Sequence, residues 1–75
     1  MTKEALSKAI QRQPFQPFVL HLADGRALHV PHQDFISMHP KGRTVIVYGD
    51  KEDLDILDVM RITGLRLPGK ARKGK

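Results

Sequence analysis

The sequence contains no cysteine and no tryptophan in its 75 residues, and only three phenylalanines and one tyrosine. Without cysteine the chain has no disulfide framework, no thiol nucleophile and no cysteine-based zinc or iron–sulfur site. Because a secreted domain of this size usually depends on disulfides, we expect a reducing compartment, the cytoplasm. No apolar run approaches the ~20 residues of a membrane-spanning helix, and residues 1–13 lack the apolar segment of a signal peptide.

The chain has room for one small domain with a thin core. We expect this domain to span residues 1–67. Residues 69–75 contain a single alanine as their only apolar side chain. A segment of that composition cannot bury enough apolar surface to fold, so residues 68–75 are predicted to form a disordered basic tail.

Residues 2–13 are predicted to form an amphipathic helix that docks on the rest of the domain. Thr2 can cap this helix at its N-terminus. Leu6 and Ile10 are four residues apart and share one apolar face. The helix must end before Pro14, because the residue that precedes a proline is pushed out of the helical region.

Residues 18–30 predict a β-hairpin, since apolar side chains alternate with others on both sides of Asp24 and Gly25. A three-residue loop over 23–25 pairs Leu20 with Leu28 and keeps the apolar side chains on one face. A two-residue loop would divide them between the two faces. We therefore expect a type I turn, with Gly25 in the left-handed region at a bulge.

Short apolar segments bounded by turn residues predict further strands and one helical turn downstream. In chain order these are 35–38, 43–48, 54–57, a helical turn 58–61 with Asp58 as its N-cap, and a closing strand 62–67 with a kink or bulge at Gly64. Asp53 and Asp55 alternate with Leu54 and Ile56, which predicts that the two carboxylates lie on a solvated strand face.

The predicted fold class is α+β, mainly β, with an N-terminal helix over 2–13 and a small five-stranded antiparallel barrel over 18–67. Turns at intervals of about 8–12 residues favour a barrel, and barrel closure would leave no exposed sheet edge. A single helical turn before the last strand is a feature of SH3-like barrels, and a helix followed by five strands is the order of the Sm-like fold. These are analogies of fold and carry little functional weight.

Four short motifs lie along the chain: QPFQPF at 13–18, ADGR at 23–26, a histidine–acidic–phenylalanine turn at 32–35 and PKGRT at 40–44. Together they resemble the motifs of a group of short bacterial proteins that have no assigned activity. The resemblance covers roughly residues 13–67. It implies a bacterial, cytoplasmic origin and supplies no catalytic residues.

We expect no enzyme and no cofactor. The sequence has no glycine-rich nucleotide motif, no Walker motif and no serine–histidine–aspartate arrangement in a strand–turn–helix context. Five of the eight acids fall between Asp50 and Asp58, but without the spacing of a calcium loop. A barrel of this size also lacks the volume of a typical pocket of about 300–1,000 Å³.

Basic residues in or near the predicted turns are the candidate ligand-binding or phosphate-binding surface, because cationic side chains suit phosphate oxygens. They are Arg26, Lys41, Arg43 and Lys51. Exposed turns also carry such residues for solubility alone, and the sequence does not tell which turns share one end of the domain.

Two of the four histidines, His21 and His29, are predicted to be diagonal neighbours on the outer face of the hairpin. Histidine titrates near pH 6–7, so this face is a candidate pH-sensitive surface. Three imidazoles with Asp34 could hold zinc. Nothing in the sequence makes the four histidines converge, and we expect no metal.

The formal net charge of +5 comes mostly from the tail, where four residues supply +4: Lys70, Arg72, Lys73 and Lys75. Residues 1–69 carry nine basic and eight acidic side chains, a balance of +1. A flexible basic tail adds affinity for polyanions but cannot read a sequence.

The expected function is that of a non-catalytic binding module that contacts another protein or a second copy of itself, without membrane contact. The alternative is binding of RNA or DNA by the barrel, helped by the basic tail. Against this alternative, the chain has few aromatic side chains on which bases could stack.

Overall fold

The computed structural model describes residues 1–67, which form one α-helix, two short 3-10 helices and six strands. The bounds are α1 Lys3–Ile10, β1 Phe18–Leu22, β2 Ala27–Val30, β3 Ile36–Met38, β4 Thr44–Tyr48, β5 Leu54–Asp58 and β6 Ile62–Arg66, with 3-10 helices at Gln33–Phe35 and Val59–Arg61. The α+β class, mainly β, is confirmed. The predicted disordered tail, residues 68–75, lies outside the described residues.

The strands form two three-stranded antiparallel sheets, β2-β1-β6 and β3-β4-β5. The predicted five-stranded barrel is therefore wrong, because residues 1–67 contain no closed barrel and no sheet of five strands. The 3-10 helix Gln33–Phe35 separates β2 from β3, so the two strands join different sheets. Phe35, predicted to begin a strand, lies in this 3-10 helix. His32 caps the helix, and the Asp34 N–H donates to His32 Nδ1 at 3.3 Å.

The helix α1 begins as predicted, since the Ala5 N–H donates to Thr2 Oγ1 at 3.1 Å. It ends at Ile10 and not at residue 13. Gln33 Nε2 donates to the Ile10 carbonyl at 2.9 Å, which satisfies one of the carbonyls left free at a helix end. Leu6 is fully buried, so the helix docks on the sheets as expected.

The register of the β1–β2 hairpin is confirmed: Phe18 lies opposite Val30, and Leu20 lies opposite Leu28. The Gly25 N–H donates to the Leu22 carbonyl at 3.0 Å and closes the turn. Gly25 has a φ of 94°, in the region that favours glycine. The apolar set fixes this register, because a one-residue slip would turn these side chains to solvent.

β5 has the opposite orientation to the one predicted. Leu57 is buried and lies opposite Val45, whereas Leu54 and Ile56 are 48% and 66% exposed. Asp55, predicted to be solvated, is half-buried on the same face as Leu57. The register with β4 decides this orientation, since residues paired with the buried positions of β4 share their face.

The 3-10 helix Val59–Arg61 and its cap are confirmed, with the Met60 N–H donating to Asp58 Oδ1 at 2.8 Å. In β6 the pairing with β1 shifts between His21 and Leu22. The predicted irregularity is therefore present, but the extra residue is Thr63, which stands between the partners of His21 and Leu22.

One hydrophobic core holds the helix and both sheets together. Its eleven buried side chains are Leu6, Phe18, Leu20, Leu22, Val30, Ile36, Val45, Val47, Leu57, Val59 and Ile62. Every element except the 3-10 helix Gln33–Phe35 contributes at least one of them, so removal of a single side chain affects several contacts at once.

We predict that Leu6→Ala lowers the free energy of unfolding by about 2–5 kcal/mol, because it removes a fully buried side chain and leaves a cavity between helix and sheets. Urea denaturation followed by circular dichroism measures the change. The matched control is Lys8→Ala, a substitution at an exposed position of the same helix, which should shift stability by less than about 0.5 kcal/mol. Equal effects of the two substitutions would show that α1 does not depend on Leu6 for docking.

Candidate functional site

Arg26 joins the two sheets. It follows the hairpin turn, and its backbone N–H and its Nε donate to Asp24 at 3.1 and 3.0 Å. Its Nη1 donates to Asp55 Oδ1 on β5 at 3.2 Å. The half-buried Asp55 carboxylate therefore has a cationic partner that lies 29 residues away in the sequence.

These contacts shift the ionisation of both partners. Hydrogen bonds from Arg26, the backbone N–H first, lower the pKa of Asp24 below its usual 3.8, against a smaller opposing effect of desolvation. The hydrogen bond to Asp24, followed by its charge and the hydrogen bond to Asp55, raises the pKa of Arg26. Both groups stay charged at neutral pH, and Arg26 already has two carboxylate partners.

Arg43 is paired in the same way. Its Nη2 lies 3.4 Å from Asp58 Oδ2, and Asp58 also caps the following 3-10 helix. Half of the predicted phosphate-binding set is thus paired with carboxylates. An incoming phosphate would have to compete with Asp24 and Asp55 for Arg26, and with Asp58 for Arg43.

The four cationic side chains of the predicted phosphate-binding surface do not lie together. Lys41 and Arg43 precede β4 and Lys51 follows it. The five residues of β4 span about 13 Å at the usual rise per residue, so these side chains lie at opposite ends of the β4–β5 hairpin. Arg26 reaches β5 between the two ends. This arrangement does not form one phosphate site.

His21 and His29 are diagonal neighbours on the outer face of the hairpin, as predicted, and both are exposed. His32 lies beside Asp34, with Nδ1 and Oδ2 3.7 Å apart, and His39 accepts a hydrogen bond from the Lys41 N–H. Within residues 1–67, no three histidine or acidic side chains are grouped so that they could hold a metal ion. The pH-sensitive face stays a prediction.

A surface that the sequence reasoning missed lies on the outside of the sheet β3-β4-β5. Ile46 is paired with Ile56, and Tyr48 with Leu54, so four apolar side chains form one patch, named here the outer apolar face. Tyr48 is 38% exposed, and Leu54 and Ile56 are more exposed still. Met60, 68% exposed, follows on the next 3-10 helix.

The free edge of β5 borders a cleft of about 280 Å³. Leu22, Ala23, Asp24 and Arg26 line it from the hairpin turn, and Ile56, Leu57, Asp58 and Arg61 line it from the other side. The hairpin turn therefore stands directly beside β5, held there by the contact between Arg26 and Asp55.

The signal that could have found the outer apolar face is the continuation of the β5 alternation beyond the strand. Positions 55, 57 and 59 alternate as regularly as 54, 56 and 58, and Val59 is apolar and buried. Each series contains one aspartate, Asp55 in the first and Asp58 in the second, so the alternation leaves both orientations of β5 open.

No family model, curated protein or solved structure matches this chain. The likeness to short bacterial proteins stays a prediction from the motifs. No helix among residues 1–67 is long and apolar enough to cross a membrane. The predicted basic tail positions, Lys70, Arg72, Lys73 and Lys75, lie outside the part that the structure describes.

We predict that the Asp24 carboxyl titrates below pH 3.8 and that Arg26→Gln moves its midpoint upward without restoring 3.8, because the backbone N–H at position 26 stays in place. NMR titration of the carboxyl carbon measures this. A lowered pKa in the folded state means that the ionised carboxylate stabilises the fold. This contribution is present above about pH 4 and is lost as the pH falls through the lowered pKa. A midpoint at or above 3.8 in the unmodified chain would contradict the prediction.

We also predict that retention on heparin depends on the tail and not on the paired arginines. A chain ending at Gly69 loses four of thirteen basic residues and should elute at much lower salt. Arg26→Gln and Arg43→Gln each remove one charge whose carboxylate partner is already present, so each should elute close to the unmodified chain. A larger effect of either arginine than of the truncation would point to a phosphate site on the folded part.

Proposed function

We propose that this protein is a non-catalytic binding module that recognises a protein partner through the outer apolar face. The observation that carries the proposal is the exposure of Tyr48, Leu54 and Ile56 side by side on two paired strands. Contiguous exposed apolar side chains on a small domain mark interaction sites, whereas scattered ones do not.

Burial of this face against a partner is favourable in free energy. Complete burial of a leucine or isoleucine side chain contributes about 1.5–3 kcal/mol, and most of Ile56 is still in contact with water. The core does not use Leu54 or Ile56, since Leu57 fills the inner side of β5. Their apolar character is therefore available for binding.

The charges favour a protein over a nucleic acid as the partner. Arg26 and Arg43 already contact carboxylates, and Tyr48 is the only aromatic side chain on the outer apolar face. The turn between β4 and β5 adds Asp50, Glu52 and Asp53, which repel phosphate groups. We place the module in the cytoplasm because it has no cysteine.

A photo-crosslinking amino acid tests the proposal. With p-benzoylphenylalanine in place of Ile56, we expect cross-linked protein adducts when the chain is irradiated in a bacterial lysate. The matched control carries the same residue in place of His21, an exposed position on the outer face of the other sheet, and should give few adducts.

Adducts at position 56 that disappear when Leu54 is also replaced by Lys support recognition by the outer apolar face. Equal labelling at positions 56 and 21, or RNA as the main adduct at position 56, would contradict it. Circular dichroism of each variant ensures that the comparison is made between folded chains.

A further inference from the structure

The outer apolar face has opposite charges at its two ends. At the β4–β5 turn, Asp50, Glu52 and Asp53 stand with Lys51, a balance of −2. At the other end, Lys41, Arg43 and Arg61 stand with Asp58, a balance of +2. The apolar side chains lie between these two ends.

This pattern is complementary to itself. A second copy turned end for end places its positive end against the negative end of the first and its apolar centre against the same centre. An interface with two-fold symmetry uses one patch twice, so a patch must carry both halves of each attraction. We propose that the partner of the outer apolar face is a second copy of this chain, an inference that rests on the proposed function.

The structure favours stacking of the two faces over pairing of two β5 edges. Arg26 Nη1 contacts Asp55 at 3.2 Å, and the hairpin turn stands beside the free edge of β5. A second strand added at that edge would meet the hairpin turn and the Arg26 side chain. The outer apolar face has no such obstacle among the described residues. Stacked sheets lie about 10 Å apart, close enough for side chains from both faces to interdigitate.

The charges also select the direction of the two-fold axis. An axis in the interface and along the strands would place like ends over each other, which is repulsive. An axis in the interface and perpendicular to the strands places opposite ends together. In that arrangement Ile46 lies over Tyr48 of the second copy, and Ile56 lies over Leu54 of the second copy.

The contact area is small. Four apolar side chains from each copy are far fewer than the ~20–30 residues a side of a standard interface. We therefore expect a weak dimer with a dissociation constant of about micromolar or higher, which exchanges readily with the monomer.

Sedimentation velocity over a concentration series of the purified full chain measures the dimer. We expect the unmodified chain to shift from monomer to dimer with increasing concentration. Ile56→Lys should weaken dimerisation by about tenfold or more, since it places a charge at the centre of both halves of the interface. His21→Lys adds the same charge to the other sheet and should leave dimerisation unchanged.

A charge reversal at both ends tests the direction of stacking. Asp50→Lys with Glu52→Lys changes the balance of one end from −2 to +2, and Lys41→Glu with Arg61→Glu changes the other from +2 to −2. Each pair alone should weaken the dimer by about fivefold or more, because each reversal acts twice across a two-fold axis. All four substitutions together restore opposite charges across the interface and should recover the unmodified dissociation constant within about twofold. A chain with all four substitutions that dimerises no more tightly than either pair would overturn the proposed direction.

The outcomes separate this inference from the proposed function. A chain that stays monomeric up to about 1 mM overturns the self-association. If position 56 then still cross-links to a different protein, the proposed function stands with another partner. If position 56 forms no adducts and the chain is monomeric, both proposals fail. In a dimeric chain, irradiation of the purified variant at position 56 should yield cross-linked dimers.

Discussion

A core of eleven apolar side chains has to hold two sheets and a helix together in a chain without disulfides. With so few buried side chains, each strand must turn the correct set of alternate residues inward, because one strand in the wrong orientation would remove a large share of the core. The pairing of Val45 and Val47 with β5 therefore determines which β5 residues reach the core. The exposed surface of the second sheet follows from that choice.

The local sequence was sufficient to predict the first hairpin but not β5. In residues 18–30 the apolar side chains on both strands agree on one register, so local alternation and turn chemistry lead to the same answer. β5 offers two alternations, and the one that the fold uses brings Asp55 toward the inner side. That position is acceptable because Arg26 donates to Asp55 from a distant turn, and such a long-range contact cannot be inferred from the local pattern.

Long-range contacts also explain why the predicted phosphate-binding surface is not present as one site. Arg26 and Arg43 are exposed near turns, as predicted, but the local pattern does not indicate that Asp55 of β5 and Asp58 at its end are their partners. The two arginines therefore help to hold the sheets and turns together. The division of the fold into two sheets could not be predicted for a related reason. The 3-10 helix Gln33–Phe35, which separates β2 from β3, is capped by His32 and contacts the end of α1 through Gln33.

The position of the charges has more functional weight than their sum. The net charge of +5 suggests a polyanion as the partner, yet four of the five charges belong to residues 70–75. On the hairpin β4–β5, opposite charges stand at the two ends of an apolar centre. A polyanion would be attracted at one end and repelled at the other, whereas a surface with the reversed pattern is attracted at both. We therefore expect the outer apolar face to favour a partner with the reversed pattern, and a second copy of the chain presents that pattern when it is turned end for end.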